Sequence, residues 1–120
     1  MQAHAVECAP NECCGLLGGR NELLLDYYPL TNRAETPERN YFAAPEEIFE
    51  AMRRMRKRGQ QHVGIYHSHP RSQPYPSRVD IEMAFYPQAV NFIMSLNPAE
   101  LRAFRIEDGN VTPVTYSIID

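Results

Sequence analysis

The chain has 120 residues, 43% of them apolar and 22% charged, with a net charge of −3. That length suits one domain, 1–120, with a core that needs neither disulfides nor a structural metal. The slight negative charge excludes a strong pull toward nucleic acid or acidic membranes, and no apolar run approaches the roughly 18 residues a membrane helix needs. The opening "MQAHAVECAPNE" lacks the basic-then-apolar order of a signal peptide. Three cysteines, two of them adjacent, make no disulfide framework, so a reducing cytoplasm is the expected location.

Residues 1–8 read as the last turns of a helix that Ala9 and Pro10 end, and so short a helix suggests missing upstream residues. "CCGLLGG" and "ELLLDYYPL" read as a hairpin whose turn uses the glycines of "GGRN". "TNRAETPERN" is a polar loop, and "YFAAP" a short strand entering a helix. That helix, "PEEIFEAMRRMRKRG", has Pro45 at its first position and Gly59 at its end. Ile48, Met52 and Met55 form its apolar stripe, with Phe49 beside it. Glutamates come early and arginines late, which suits the helix dipole and explains the basic run without a nucleic-acid partner. "HVGIYHSH" reads as a buried strand, "PRSQPYP" as an irregular loop and "SRVDIEMAFY" as the start of a helix. "QAVNFIMSL", "LRAFRIE" and "VTPVTYSII" complete the chain as three strands, with Pro113 marking an edge or a bulge in the last.

The stretch "GIYHSHPRSQPYPSRVDIE", residues 64–82, carries the chemistry. On an extended strand His67 and His69 point the same way, with Cα atoms ~6.6–7 Å apart. Two imidazoles so placed can converge on one ion, which suits zinc. Ser68 points away and is structural. The proline-rich loop, its φ angles already restricted, can bring Ser77 and Asp80 back to the strand end. Asp80 would be a third ligand, leaving an open fourth position of the catalytic kind. Ser77 and Asp80 also spell a capped helix start, and the two readings are compatible. Glu12, at the head of the first strand, is a candidate general base; the plainer alternative is an exposed strand-end carboxylate. His4 and His62 have no partners in sequence and read as structural or surface residues. Cys14 reads as a small buried residue rather than a nucleophile.

Taken together, Glu12 before "CCGLLGG", then "HSHP", then "SRVD", closely resembles the JAMM or MPN+ metallopeptidase signature, a distant Glu followed by H-x-H-P-x6-S-x-x-D. The likeness extends to "ECCGLLGG", "YPLTNRAE" and "VGIYHSHP". It implies an α/β fold, a curved mixed β-sheet flanked by helices of the cytidine-deaminase-like kind. It implies Zn²⁺ held by His67, His69 and Asp80, Glu12 activating water, and Ser77 donating to the carbonyl oxygen as charge develops there. Only 40 residues follow Asp80, which leaves no room for the ubiquitin-holding insertions of the eukaryotic members. The compact form resembles bacterial stand-alone members, which process the Gly-Gly tails of ubiquitin-like sulfur-carrier proteins. Arg71, Tyr75 and Arg78 are near enough in sequence to line a groove for such a tail, with simple exposure the plainer reading. The competing expectations are a peptidoglycan or phage-tail type endopeptidase and a non-catalytic MPN-type scaffold.

Overall fold

The computed structural model describes residues 1–84 and 86–118. Six strands form one mixed sheet in the order β2-β1-β3-β4-β5-β6. They are β1 (Cys14–Arg20), β2 (Leu23–Leu30), β3 (Gln61–His69), β4 (Val90–Leu96), β5 (Ala99–Glu107) and β6 (Asn110–Val114). Only the β3–β4 pair is parallel. The remaining neighbours run antiparallel. Among the described residues no helix is long and apolar enough to cross a membrane.

The period-2 alternation of β1 and β3 builds two cores, one on each face. On one face Cys13, Leu17, Tyr66, Phe92, Met94 and Ala103 pack under α1 (Gln2–Cys8), which contributes the fully buried Ala5. On the other, Cys14, Leu16, Tyr28 and Leu30 pack against Ala51 and Met55 of α2 (Pro45–Lys57). The adjacent Cys13 and Cys14 thus lie on opposite faces, as an extended chain requires. The basic end of α2 is employed locally, with Arg54 and Arg58 each 5.6 Å from the Tyr28 ring centroid. Arg58 also reaches Asp26 at 3.5 Å.

Four local expectations need correction. The hairpin turns at Asn21 and Glu22, both at positive φ (50° and 68°), the pattern of a type I′ turn. The glycines instead serve close approach within the strand: a Cβ on Gly19 would sit 1.9 Å from the Leu23 carbonyl oxygen. Phe49, beside the α2 stripe, is 66% exposed rather than part of the core. "YFAAP" forms a single bridge, Asn32 with Ala43, rather than a strand. The last strand stops at Val114. Beyond it Tyr116 packs edge-on to Phe92, and its hydroxyl donates to the Leu101 carbonyl, drawing the chain away from the ladder. Residue 119 of that expected strand lies outside the described residues. Pro113 does sit on an edge strand, paired with Phe104 of β5.

Candidate active site

The site assembles at the C-terminal end of β3, on the face that carries α2. Alternation along the strand sends Ile65, His67 and His69 to this side and Tyr66 and Ser68 to the other. Ser68 is fully buried and structural. Its Oγ accepts the Cys13 N–H at 2.8 Å, and its own N–H donates to the Cys13 carbonyl at 3.1 Å. This pair of bonds pins the head of β1 beside the end of β3. It therefore sets Glu12 next to the two histidines.

A second clamp holds Glu12 from the other side. Its N–H donates to the Pro37 carbonyl at 2.8 Å. The Asn32 amide donates to the carbonyls of Glu12 at 3.0 Å and Asn40 at 2.9 Å. The same side chain accepts N–H bonds from Ala34 and Phe42. One asparagine thus organises the loop from 31 to 43 around the backbone of Glu12. In sequence this segment reads only as a polar loop followed by a short strand. Its one signal was an asparagine three residues past a strand proline, too weak to read.

The proline loop reverses the chain as its composition demands, with Pro74 and Pro76 buried. It delivers α3 (Arg78–Glu82), shorter than the ten residues of "SRVDIEMAFY", where Phe85 lies outside the described residues. Ser77 caps this helix. Its Oγ accepts the Asp80 N–H at 3.1 Å, while Asp80 Oδ2 accepts the Ser77 N–H at 2.8 Å. The capping box locks the carboxylate in place, so the two readings of S-x-x-D coincide in one structure. The cap uses a lone pair on Ser77 and leaves the hydroxyl proton to be donated outward.

Asp80 Oδ2 lies 3.1 Å from His67 Nε2 and 3.1 Å from His69 Nε2, and the two nitrogens are 3.0 Å apart. This triangle is nearly equilateral. Ligand atoms on a tetrahedral zinc, at ~2.0–2.1 Å from the ion, are themselves roughly 3.3 Å apart. The residues therefore fit such an ion with almost no rearrangement. Glu12 stands further off, with a carboxylate oxygen within 4.8 Å of a ring nitrogen of each histidine. It is 4% exposed, and its Oε1 has no hydrogen-bond partner among the described residues. A buried carboxylate oxygen left unpaired is costly, which marks it as a group with a missing partner.

The electrostatics follow from these contacts. Burial raises Glu12 to about 7; the nearby His69 opposes the rise and Asp80 adds to it. Burial lowers His67 more than Asp80 raises it, which keeps that imidazole neutral and able to ligate. At His69 burial also lowers, but the bonds to Asp80 and to the Gln73 carbonyl outweigh it and the net shift is upward. Burial pushes the Asp80 carboxyl up, yet the His67, His69 and Ser77 hydrogen bonds hold it well below the usual carboxylate range. Burial drives the Cys14 thiol up to about 12, so it is no nucleophile near neutral pH.

An apolar groove of about 180 Å³ opens beside Asp80. Its floor is Cys14, Leu16 and Ile65, and its walls are Tyr41–Ala43 on one side and Val79 and Met83 on the other. Arg71, Tyr75 and Arg78 do not line it. Arg71 is exposed, Arg78 pairs with Glu82 at 3.0 Å, and Tyr75 packs edge-on to Phe104. The groove residues were hidden in sequence because they come from four separate segments. His4 bonds to the Tyr66 hydroxyl at 2.8 Å, and His62 to the Gly64 carbonyl at 3.0 Å, so both are structural.

The chain is similar to known proteins over most of its length. Residues 1–107 match the family described as prokaryotic homologs of the JAB domain. The chain is 33% identical over 125 residues to the CysO-cysteine peptidase of Mycobacterium tuberculosis, covering 100% of this chain and 85% of that protein. It is 37% identical over 99 residues to the desampylase of Haloferax volcanii, covering 78% of this chain and 71% of the relative. The solution structure of a Desulfitobacterium hafniense protein superposes with a TM-score of 0.83 at 35% identity, over 93% of this chain and 81% of that one.

Proposed function

The chain belongs to the prokaryotic JAB-domain family of hydrolases, and from that premise we propose that it is a zinc-dependent peptidase cutting at the C-terminal tail of a ubiquitin-like sulfur-carrier protein or its conjugate. The observation that carries the reading is the His67–His69–Asp80 triangle with the unpaired Glu12 carboxylate beside it. His67, His69 and Asp80 would hold the ion. When bound there, zinc supplies Lewis-acid activation of a water and polarises the scissile carbonyl.

The chain's own residues supply the rest. Glu12 takes a proton from the attacking water and passes it to the leaving nitrogen. Its backbone clamps at Pro37 and Asn32 hold it at the right distance. Ser77 donates its hydroxyl proton to the carbonyl oxygen as negative charge grows there. A Gly-Gly tail is thin enough to lie extended in the groove beside the ligand cluster. The three free cysteines suit a reducing cytoplasm.

The testing experiment offers the zinc-loaded protein a sulfur-carrier protein extended past its Gly-Gly end, beside a muropeptide, with intact-mass readout. Release of a carrier ending in Gly-Gly is expected. Cleavage of the muropeptide alone contradicts the substrate assignment, and cleavage of neither contradicts the activity. Ser77→Ala is expected to lower kcat by roughly 10²-fold with KM little changed. Loss of the cap should cost the metal-free protein only about 1 kcal/mol. A fall in stability without a fall in kcat would leave Ser77 a cap alone.

A further inference from the structure

The two histidines of the triangle are held in different ways. A ligating imidazole generally donates its second ring N–H to a carbonyl or carboxylate, which fixes its plane and its tautomer. His69 does so: its Nδ1 donates to the Gln73 carbonyl at 2.8 Å, leaving the Nε2 lone pair for the site. His67 does not. Its Nδ1 is buried and finds no hydrogen-bond partner among the described residues. The strand backbone fixes where His67 starts, but a ring without such a bond can still turn about its last torsion.

What lies against that ring is Tyr41. The two rings are stacked, with centroids 4.6 Å apart and planes 28° from parallel. Tyr41 is itself held within the segment that the Asn32 hub organises, between the Asn40 and Phe42 contacts. It also forms part of the groove wall beside Asp80. We propose that Tyr41 is the positioning residue for His67, its ring packed flat on the imidazole in place of the missing outer hydrogen bond. The inference rests on the reading of His67 as a metal ligand. It assigns the work to the flat face of the ring rather than to the phenol hydroxyl. The loop from 31 to 43 then has two tasks at once: its asparagine fixes the base, and its tyrosine fixes a ligand.

The test measures zinc affinity, by competition with a chromophoric chelator, for wild type and for Tyr41→Phe, Tyr41→Leu and Tyr41→Ala. The melting of each metal-free protein is recorded beside it, together with the visible spectrum of each cobalt-loaded form. Phe should restore wild-type affinity and spectrum. Leu and Ala should bind roughly 10–100-fold more weakly, the usual effect of losing an outer partner of a ligand. Their cobalt spectra should shift because His67 is no longer held in one plane. Equal affinity in all four proteins overturns the proposal. So does a Phe variant as weak as Ala, since the hydroxyl would then be the working group. Should Ala not fold, the comparison of Phe with Leu, which fills space without a flat face, decides between the same outcomes. A wild type that binds no zinc overturns the functional reading itself, a result distinct from either.

Discussion

Glu12→Gln is expected to lower kcat by a factor on the order of 10³ or more while zinc affinity stays within a few fold of wild type. The amide keeps the shape of the side chain but cannot accept the proton of the attacking water. The ion should be retained because Glu12 stands outside the Nε2–Nε2–Oδ2 triangle that fits it. A variant that loses zinc together with activity would make Glu12 a ligand instead. The same substitution has a signature in the metal-free protein. A carboxyl whose folded pKa, about 7, exceeds its ordinary 4.5 favours folding in its protonated form. Its contribution is complete below about 4.5 and is lost as pH rises through about 7. Ionised Glu12 therefore costs the fold on the order of 2 kcal/mol at alkaline pH. Gln is spared this cost. Metal-free Glu12→Gln should gain melting temperature relative to wild type between about pH 5 and about pH 8. A gap that stays constant across that range would mean Glu12 titrates normally.

The second large effect belongs to Asp80, which holds two positions at once. It closes the ligand triangle, and it completes the capping box of α3. Asp80→Ala should abolish activity and weaken zinc binding by more than the 10–100-fold typical of an outer partner. It should also lower metal-free stability by about 1 kcal/mol through the lost cap. Asp80→Asn separates the two tasks. Its amide oxygen can still accept the Ser77 N–H, so the cap is kept and metal-free stability should fall only through the lost charged contacts to His67 and His69. Its neutral amide is a poor zinc ligand, so affinity should fall nearly as far as in Asp80→Ala. If Asp80→Asn binds zinc like wild type, the third ligand lies elsewhere, with Glu12 the nearest carboxylate.

The legible parts of this site are those written in local geometry. H-x-H places two imidazoles on one face of a strand whatever surrounds it, and S-x-x-D closes a capping box on its own backbone. The α2 helix was equally plain, because Pro45 and its glutamate-to-arginine order act locally. What stayed hidden depends on chain segments meeting. Asn32 reads as polar loop and Tyr41 as the start of a short strand, and neither shows its role until the segment wraps Glu12 and His67. The groove draws its floor from β1 and β3 and its walls from the 41–43 segment and α3. Local signals also misled where packing overrode them. Gly18 and Gly19 suggested a turn, yet Gly19 is small because the Leu23 carbonyl lies against it. Phe49 sits beside the helical stripe, yet it is 66% exposed.

The most direct measurement is the anomalous scattering of zinc in a crystal of the loaded protein. Coordination by His67, His69 and Asp80 predicts one ion, about 2.0–2.2 Å from His67 Nε2, His69 Nε2 and an oxygen of Asp80, with Glu12 near but not bonded to it. An ion bonded directly to Glu12 with Asp80 turned away, or no ion at this cluster in a protein that binds zinc, would contradict it.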